Sequence, residues 1–83
     1  GEEAVTVDPK LRVVKVSTRG LDKHHPKQSD LREKTGCTVI AVERGDQLLV
    51  EFGSGFAFLA GDAVYICGSS EAVQKFYQLF PQE

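Results

Sequence analysis

The sequence predicts an α+β domain: a small, mostly antiparallel sheet of about four strands with two helices, in the order β-α-β-β-β-α. Three observations support this fold class. The chain has 83 residues, enough for one domain. Its apolar runs are of strand length and are separated by turn residues, one of them a two-residue hairpin turn. Its last third carries an amphipathic helical pattern.

The first predicted element is a strand from Leu11 to Thr18. β-Branched residues dominate this run, and Arg12 and Lys15 interrupt it, which is typical of a strand with one partly exposed face. Residues 1–10 are expected to form a linker or a short edge strand, and residues 11–83 the domain itself.

A short helix is predicted from about Pro26 to Lys34, after a polar loop. Leu31 is its one large apolar residue, so the helix depends on its surroundings more than on its own propensity. Gly36 suits the left-handed position that closes such a helix.

Two strands and a hairpin follow. Thr38 to Glu43 is an apolar run typical of a buried strand, and Gln47 to Phe52 is the predicted returning strand. Gly45 and Asp46 between them suit a tight two-residue turn.

The C-terminal stretch predicts a turn, a strand, a cap and a helix. Gly61 and Asp62 form the turn, Ala63 to Cys67 the strand, and the hydroxyl of Ser69 the helix cap, while Pro81 ends the helix. The apolar side chains at helical spacing are expected to be buried on one face: Val73, Phe76, Tyr77 and Phe80.

Charge is distributed unevenly along the chain, although the formal net charge is only -2. Between Asp8 and Lys34 there are eight Lys or Arg and four acidic residues, whereas residues 35–83 hold two basic and six acidic ones. The basic third either faces an anion or an acidic neighbour, or is a solvated surface.

Several function classes are disfavoured. The adjacent His24 and His25 lack the spacing of a metal site, and we expect neither a metal nor catalysis. Cys37 and Cys67 lie in apolar patterns, so buried reduced thiols of a cytosolic protein are expected over a disulfide. Nucleic-acid binding is not expected, because the aromatic residues fall in the acidic part of the chain and resemble core.

The chain begins with Gly and contains no Met, so we expect an excised domain. No apolar run reaches the roughly 20 residues that a membrane-spanning helix needs. Among the remaining functions, binding is favoured. Arg32, Lys34 and Arg44 bracket an apolar strand and could hold a phosphate while the strand packs a base, or they are surface charges beside a core strand.

Four stretches of the chain resemble the TrkA-type C-terminal domain, the C-terminal lobe of the regulator-of-K+-conductance (RCK) module. The resemblance spans about Leu11 to Phe80. Its most specific pieces are a Thr-Gly before an apolar strand that ends in a charged residue, Arg and Gly, and a later Gly-Asp, apolar strand, Gly, small residue and Glu-Ala. The stretches are Leu31 to Val50, Phe58 to Asp62, Val64 to Gly68 and Ser70 to Phe76.

The resemblance implies a regulatory, non-catalytic domain, usually a homodimer, attached on the cytoplasmic face of the membrane to a K+ channel or a cation transporter. It implies ligand sensing, with cyclic di-AMP or another nucleotide as the expected type of anionic ligand, or else assembly of the parent protein without any small ligand. Matched residue by residue, the implied ligand positions are Arg32, Cys37, Thr38 and Val39, to which the charge pattern adds Arg44.

Overall fold

A computed structural model describes residues 11–21, 25 and 31–82 of the chain. The predicted linker at residues 1–10 and the first part of the predicted first helix, residues 26–30, lie outside this range. The described elements are β1 (Leu11–Ser17), α1 (Leu31–Thr35), β2 (Thr38–Arg44), β3 (Gln47–Leu49), β4 (Ala63–Ser69) and α2 (Ser70–Leu79).

The four strands form one antiparallel sheet in the order β1-β4-β2-β3. The predicted α+β class and element order are therefore confirmed. β4, the last strand in the chain, lies in the interior of the sheet between β1 and β2. The register of β2 on β4 shifts between Val39 and Ala41, so Ile40 is an extra residue in β2, a β-bulge.

One face of the sheet carries the core. Val64 and Ile66 of β4 are fully buried, and their cross-strand partners Val14, Val16, Val39 and Val42 share that face. The buried core residues from the rest of the chain include Leu21, Leu31, Cys37, Phe58, Ala72, Val73 and Phe76. The opposite face, which we call the open face, carries the alternate residues of each strand.

The predicted turns are confirmed. Gly45 (φ 61°) and Asp46 join β2 to β3, with Arg44 paired to Gln47. Gly61 has a φ of 91°, and the amide of Asp62 donates to the carbonyl of Leu59 at 3.0 Å. A positive φ is favourable for glycine because it lacks Cβ.

The C-terminal helix has the predicted cap but a narrower buried face than expected. Ser69 Oγ accepts a hydrogen bond from the amide of Ala72 at 3.0 Å. Val73 and Phe76 are buried, whereas Tyr77 is 40% exposed, so the prediction that it is buried is wrong. Tyr77 lies about 100° around the helix from Phe76 and meets that ring edge-on, with the centroids 6.1 Å apart.

Two strands end at residues other than those predicted. β3 ends at Leu49, three residues before the predicted end, and β4 extends two residues further than predicted, to Ser69, where α2 begins. After β3 the chain leaves the sheet, and Phe52 and Phe56 contact each other there at an interplanar angle of 57°, with centroids 4.9 Å apart, and pack against the core. Aromatic burial thus replaces strand pairing in this segment.

Candidate ligand site at the start of the second strand

The link between α1 and β2 is held by a compact hydrogen-bond set. Thr35 is buried; its hydroxyl donates to the carbonyl of Leu31 at 2.7 Å and accepts from the amide of Cys37 at 3.0 Å. Gly36, at φ 88°, donates its amide to the carbonyl of Arg32 at 2.8 Å. These bonds satisfy the helix end and fix where the strand begins.

The sequence-predicted residues at this link divide between two sides. Arg32 is exposed on α1, and Thr38 is exposed on the open face, opposite Cys67 of β4. Cys37 is fully buried, and Val39 packs against the core from the other face. Solvent therefore reaches the side chains of Arg32 and Thr38, while those of Cys37 and Val39 point inward.

The burial of Cys37 also lowers the reactivity of its thiol. Its thiol pKa is raised, chiefly because burial disfavours the thiolate. A Cβ placed on Gly68 would lie 3.1 Å from the Cys37 sulfur and 3.1 Å from the Ala72 Cβ, so β4 approaches both closely. Both cysteines are free thiols, and Cys67 is only partly buried.

The first half of β2 has one uncovered edge. β3 pairs only with Val42, Glu43 and Arg44, so within the described part of the chain no strand lies on that side of Thr38, Val39 and Ile40. Ile40, the bulged residue, is 42% exposed. An exposed apolar side chain thus lies beside Thr38, at a strand edge that no described strand pairs with; sequence reasoning missed this feature because a bulge leaves no pattern in the sequence.

Arg44 lies at the other end of β2, about 20 Å from Thr38 at about 3.3 Å per residue. Its guanidinium donates from Nε to Asp62 Oδ1 at 2.9 Å and from Nη2 to Asp62 Oδ2 at 2.8 Å. Nη2 also donates to the carbonyl of Ala57 at 3.1 Å, and the guanidinium lies 4.9 Å from the centroid of Phe56. The cation is therefore engaged within its own chain.

Asp62 is the partner that sequence reasoning did not assign to Arg44. Its side chain is only 2% exposed, and Oδ2 also accepts from the amide of Leu59 at 2.9 Å. Hydrogen bonding from Arg44 is the main cause of the lowered pKa of this carboxyl group, and the same bonds raise the pKa of Arg44. The two residues are 18 positions apart and Asp62 lies in a turn, so no helical or strand spacing in the sequence indicated that they form a pair.

The described residues do not bring together the usual groups of a metal site. No cluster of three His, Cys, Asp or Glu residues is found within residues 11–21, 25 and 31–82. His25 is buried, with Nε2 2.8 Å from the carbonyl oxygen of Gly53 and its ring edge-on to Phe56. Among these same residues, no helix is both long and apolar enough to span a bilayer.

The described elements form a small α+β domain with one open sheet face and with exposed residues at the start of β2. The TrkA-C domain model matches residues 4–80, and the chain belongs to that family. The family resemblance inferred from the sequence is confirmed.

Among known proteins, the chain is similar to potassium channel protein 1 of Methanocaldococcus jannaschii, with 33% identity over 72 residues. The match covers 87% of this chain but only 22% of that relative.

Two solved structures share the fold. The RCK C domain of the potassium transport protein KtrA, in complex with cyclic di-AMP, matches with a TM-score of 0.73 and 18% identity, over 86% of this chain and 85% of that one. The RCK_C domain dimer of S. agalactiae BusR, also in complex with cyclic di-AMP, matches with a TM-score of 0.68 and 17% identity, over 86% and 97% of the two chains. A longer BusR chain, bound to promoter DNA, matches over 40% of its length.

Proposed function

We propose that this chain is a ligand-sensing and dimerisation domain that regulates a K+ channel or a cation transporter from the cytoplasmic face of the membrane. Membership of the TrkA-C family supports a regulatory, non-catalytic role. The observation that carries the proposal is that a cation, Arg32, and a hydroxyl, Thr38, are both exposed at the two ends of a short link that Thr35 and Gly36 hold in place.

The proposed ligand is a small anion that contains phosphate and a base, such as cyclic di-AMP. The guanidinium of Arg32 would hold the phosphate, and the Thr38 hydroxyl would add a hydrogen bond. Cys37 and Val39 would contribute through their backbone groups, because their side chains face the core. In this proposal Arg44 positions the far end of β2 through Asp62 and does not touch the ligand of its own chain.

Regulation would follow from differential binding. A ligand that binds one arrangement of two copies better than another shifts the population toward it, by no more than the difference in binding free energy. The parent channel or transporter would sense that shift through the chain that connects it to this domain.

A thermal-shift panel tests the proposal directly, with cyclic di-AMP, ATP, NADH and monovalent and divalent cations. A ligand at 100 times its dissociation constant stabilises the folded state by about 2.7 kcal/mol, which is readily detected in a domain of this size. R32A should abolish the shift, and K34A, an exposed cation two residues away, should leave it unchanged. Equal shifts for wild type and R32A would contradict the site.

The second candidate is an assembly module that binds no small ligand. The exposed apolar side chains of Leu11, Val13 and Leu48 favour it, since an oligomer would cover them. No shift with any compound of the panel, together with a concentration-dependent dimer, would select this candidate. We also predict that the domain does not bind nucleic acid, because Phe58 and Phe76 are buried in the core and so are not available to stack on bases. A mobility-shift assay with duplex DNA tests this prediction.

A further inference from the structure

The outer edge of β1 is the longest unpaired strand edge within the described part of the chain. β1 is the first strand in the sheet order and pairs with β4 on one side, so no described strand lies on its other side. The pairing runs without a bulge over the seven residues Leu11–Ser17. β3, at the opposite end of the sheet, has only three residues. An edge as long as that of β1 can accept a further strand.

The strand register shows which backbone groups of β1 face outward. In an antiparallel pair, successive residues direct their amide and carbonyl in alternation toward the partner strand and away from it. The amide of Ser17 donates to Gln82 Oε1 at 2.7 Å, so Ser17 directs its backbone away from β4. The two-residue turn between β2 and β3 sets the same alternation through β4. The other outward residues are therefore Leu11, Val13 and Lys15, and no described residue bonds to their outward groups.

β1 lacks the features that commonly block a strand edge. Native edge strands are protected by proline, by bulges or by charged side chains that project over the edge. β1 has neither proline nor bulge. Its two cations are directed back onto the domain: Lys15 Nζ lies 2.8 Å from Glu43 Oε1, and Arg12 Nε donates to Ser70 Oγ at 3.0 Å. Within the described residues, the edge is therefore open to an incoming backbone.

We propose that an extended acidic segment of a partner protein adds to this edge as a fifth strand of the sheet, by β-augmentation. The side chains of β1 indicate its chemistry. Leu11 and Val13 are 44% and 56% exposed on the open face, so the partner residues opposite them are apolar. Arg12 is exposed on the other face and favours a carboxylate opposite it. The partner segment therefore alternates apolar and acidic residues.

Charge in this part of the chain supports an acidic partner. Residues 11–21 contain Arg12, Lys15 and Arg19 and no acidic residue. Lys15 is paired with Glu43, whereas neither arginine forms an ion pair with a described residue. The edge therefore carries two uncompensated cations. They also disfavour pairing of this edge with the same edge of a second copy, which would bring like charges together.

Strand addition at β1 does not depend on the proposed ligand site. Thr38 lies on β2, and β4 separates it from β1. A peptide at the β1 edge and a small ligand at the start of β2 would therefore occupy different parts of the sheet.

The probe for this edge is a fluorescein-labelled peptide as long as β1, with alternating valine and glutamate, whose binding is measured by fluorescence anisotropy. With the valines opposite Leu11, Val13 and Lys15, the valine amides bond to the edge and the glutamate amides point away. N-methylation of the valines should therefore abolish binding, whereas N-methylation of the glutamates should change it less than about twofold. A valine–lysine peptide should bind more than about tenfold more weakly.

Variants of the chain test the same edge from the other side. The Val13 amide points outward, so V13P removes a donor to the peptide and none to β4. V13P should weaken binding more than about tenfold, and it should lower the Tm less than V14P, because the Val14 amide bonds to β4. R12Q should weaken binding roughly threefold, and K34Q, an exposed cation on α1, should leave it unchanged. Circular dichroism verifies the fold of each variant.

Contrary results are distinct for each part of the proposal. Equal binding of the two N-methylated peptides would overturn strand addition at this edge, whether or not V13P folds. Binding of the valine–lysine peptide as tight as that of the valine–glutamate peptide would overturn the acidic partner. No binding of the valine–glutamate peptide up to millimolar concentration would overturn the proposal as a whole and leave the proposed function intact, because that function is tested with nucleotides.

Discussion

Replacement of Asp62 by alanine tests whether the Arg44–Asp62 pair holds the segment between β3 and β4. The carboxylate accepts three hydrogen bonds of 2.8–2.9 Å, two from Arg44 and one from the amide of Leu59. Hydrogen bonds to charged groups contribute about 1.5–3 kcal/mol each and do not add fully. The Arg44 side chain is 33% exposed and can regain water in the variant, which lowers the cost.

We therefore expect D62A to lower the free energy of unfolding by about 3 kcal/mol. A chain of this length has a free energy of unfolding of about 4–12 kcal/mol, so the loss is a large share of it. It corresponds to a Tm about 12–24 °C lower. Urea denaturation followed by circular dichroism measures the change, and D46A, in an exposed turn, is the control. A loss below about 1 kcal/mol for D62A, or one equal to that of D46A, would refute the structural role assigned to this pair.

The same pair predicts a pH dependence. The folded-state pKa of Asp62 is lowered below its ordinary value of 3.8, so its contribution is fully present above that value. As the pH falls through the folded-state pKa, the contribution is lost, because the carboxylate is protonated in the folded protein too. Unfolding midpoints measured from pH 6 to pH 2 should show an acid-side decline that is smaller in D62N; identical profiles would contradict the linkage.

Three further predictions concern the frame of the domain. G36A should lower the free energy of unfolding by more than about 1 kcal/mol, because φ is 88° and the new Cβ would lie 3.3 Å from the Cβ of Ala72. G45A has no heavy atom within 4 Å of the new Cβ and should lower it less. Urea midpoints compare the two variants. S69A should lower the free energy of unfolding by about 1 kcal/mol because the helix loses its cap, whereas S69T should keep most of the stability that the cap provides. In native protein a maleimide should modify Cys67 long before Cys37, which burial keeps inert, and peptide mass spectrometry assigns the sites.

Each of these predictions has a clear contrary result. Equal losses for G36A and G45A would mean that the crowding at α2 is relieved without cost. A stable S69A would mean that another group satisfies the helix start. Equal labelling of both cysteines without denaturant would mean that the core around Cys37 opens readily.

The sequence was most informative where a local signal and a tertiary contact agree. Glycine is favoured in turns with a positive φ, and serine is favoured as a helix N-cap. Gly45, Gly61 and Ser69 have these roles in the structure, as the sequence predicted. The apolar runs gave the strands for the same reason, since a strand buried on one or both faces leaves a compositional trace.

The misses arise from contacts between distant residues. Tyr77 fits the apolar spacing of α2, yet the width of the buried stripe depends on what packs against it. The ion pair of Arg44 with Asp62 and the bulge at Ile40 depend on strand register, which no single segment encodes. The faces on which Thr38 and Val39 lie also depend on this register, because the pairing of β2 with β4 decides which side chains of β2 point toward the core.

The position of β4 has a consequence for how the domain is made. Among the described strands, β4, which joins β1 to β2, is synthesised last, and the hairpin of β2 and β3 is the pair that can form before it emerges. In a nascent chain, the apolar faces of β1 and β2 therefore lack their partner strand until residues 63–79 leave the ribosome. Completion of the sheet is then a late event, and a chain terminated before β4 would retain at most the β2–β3 hairpin of the described strands.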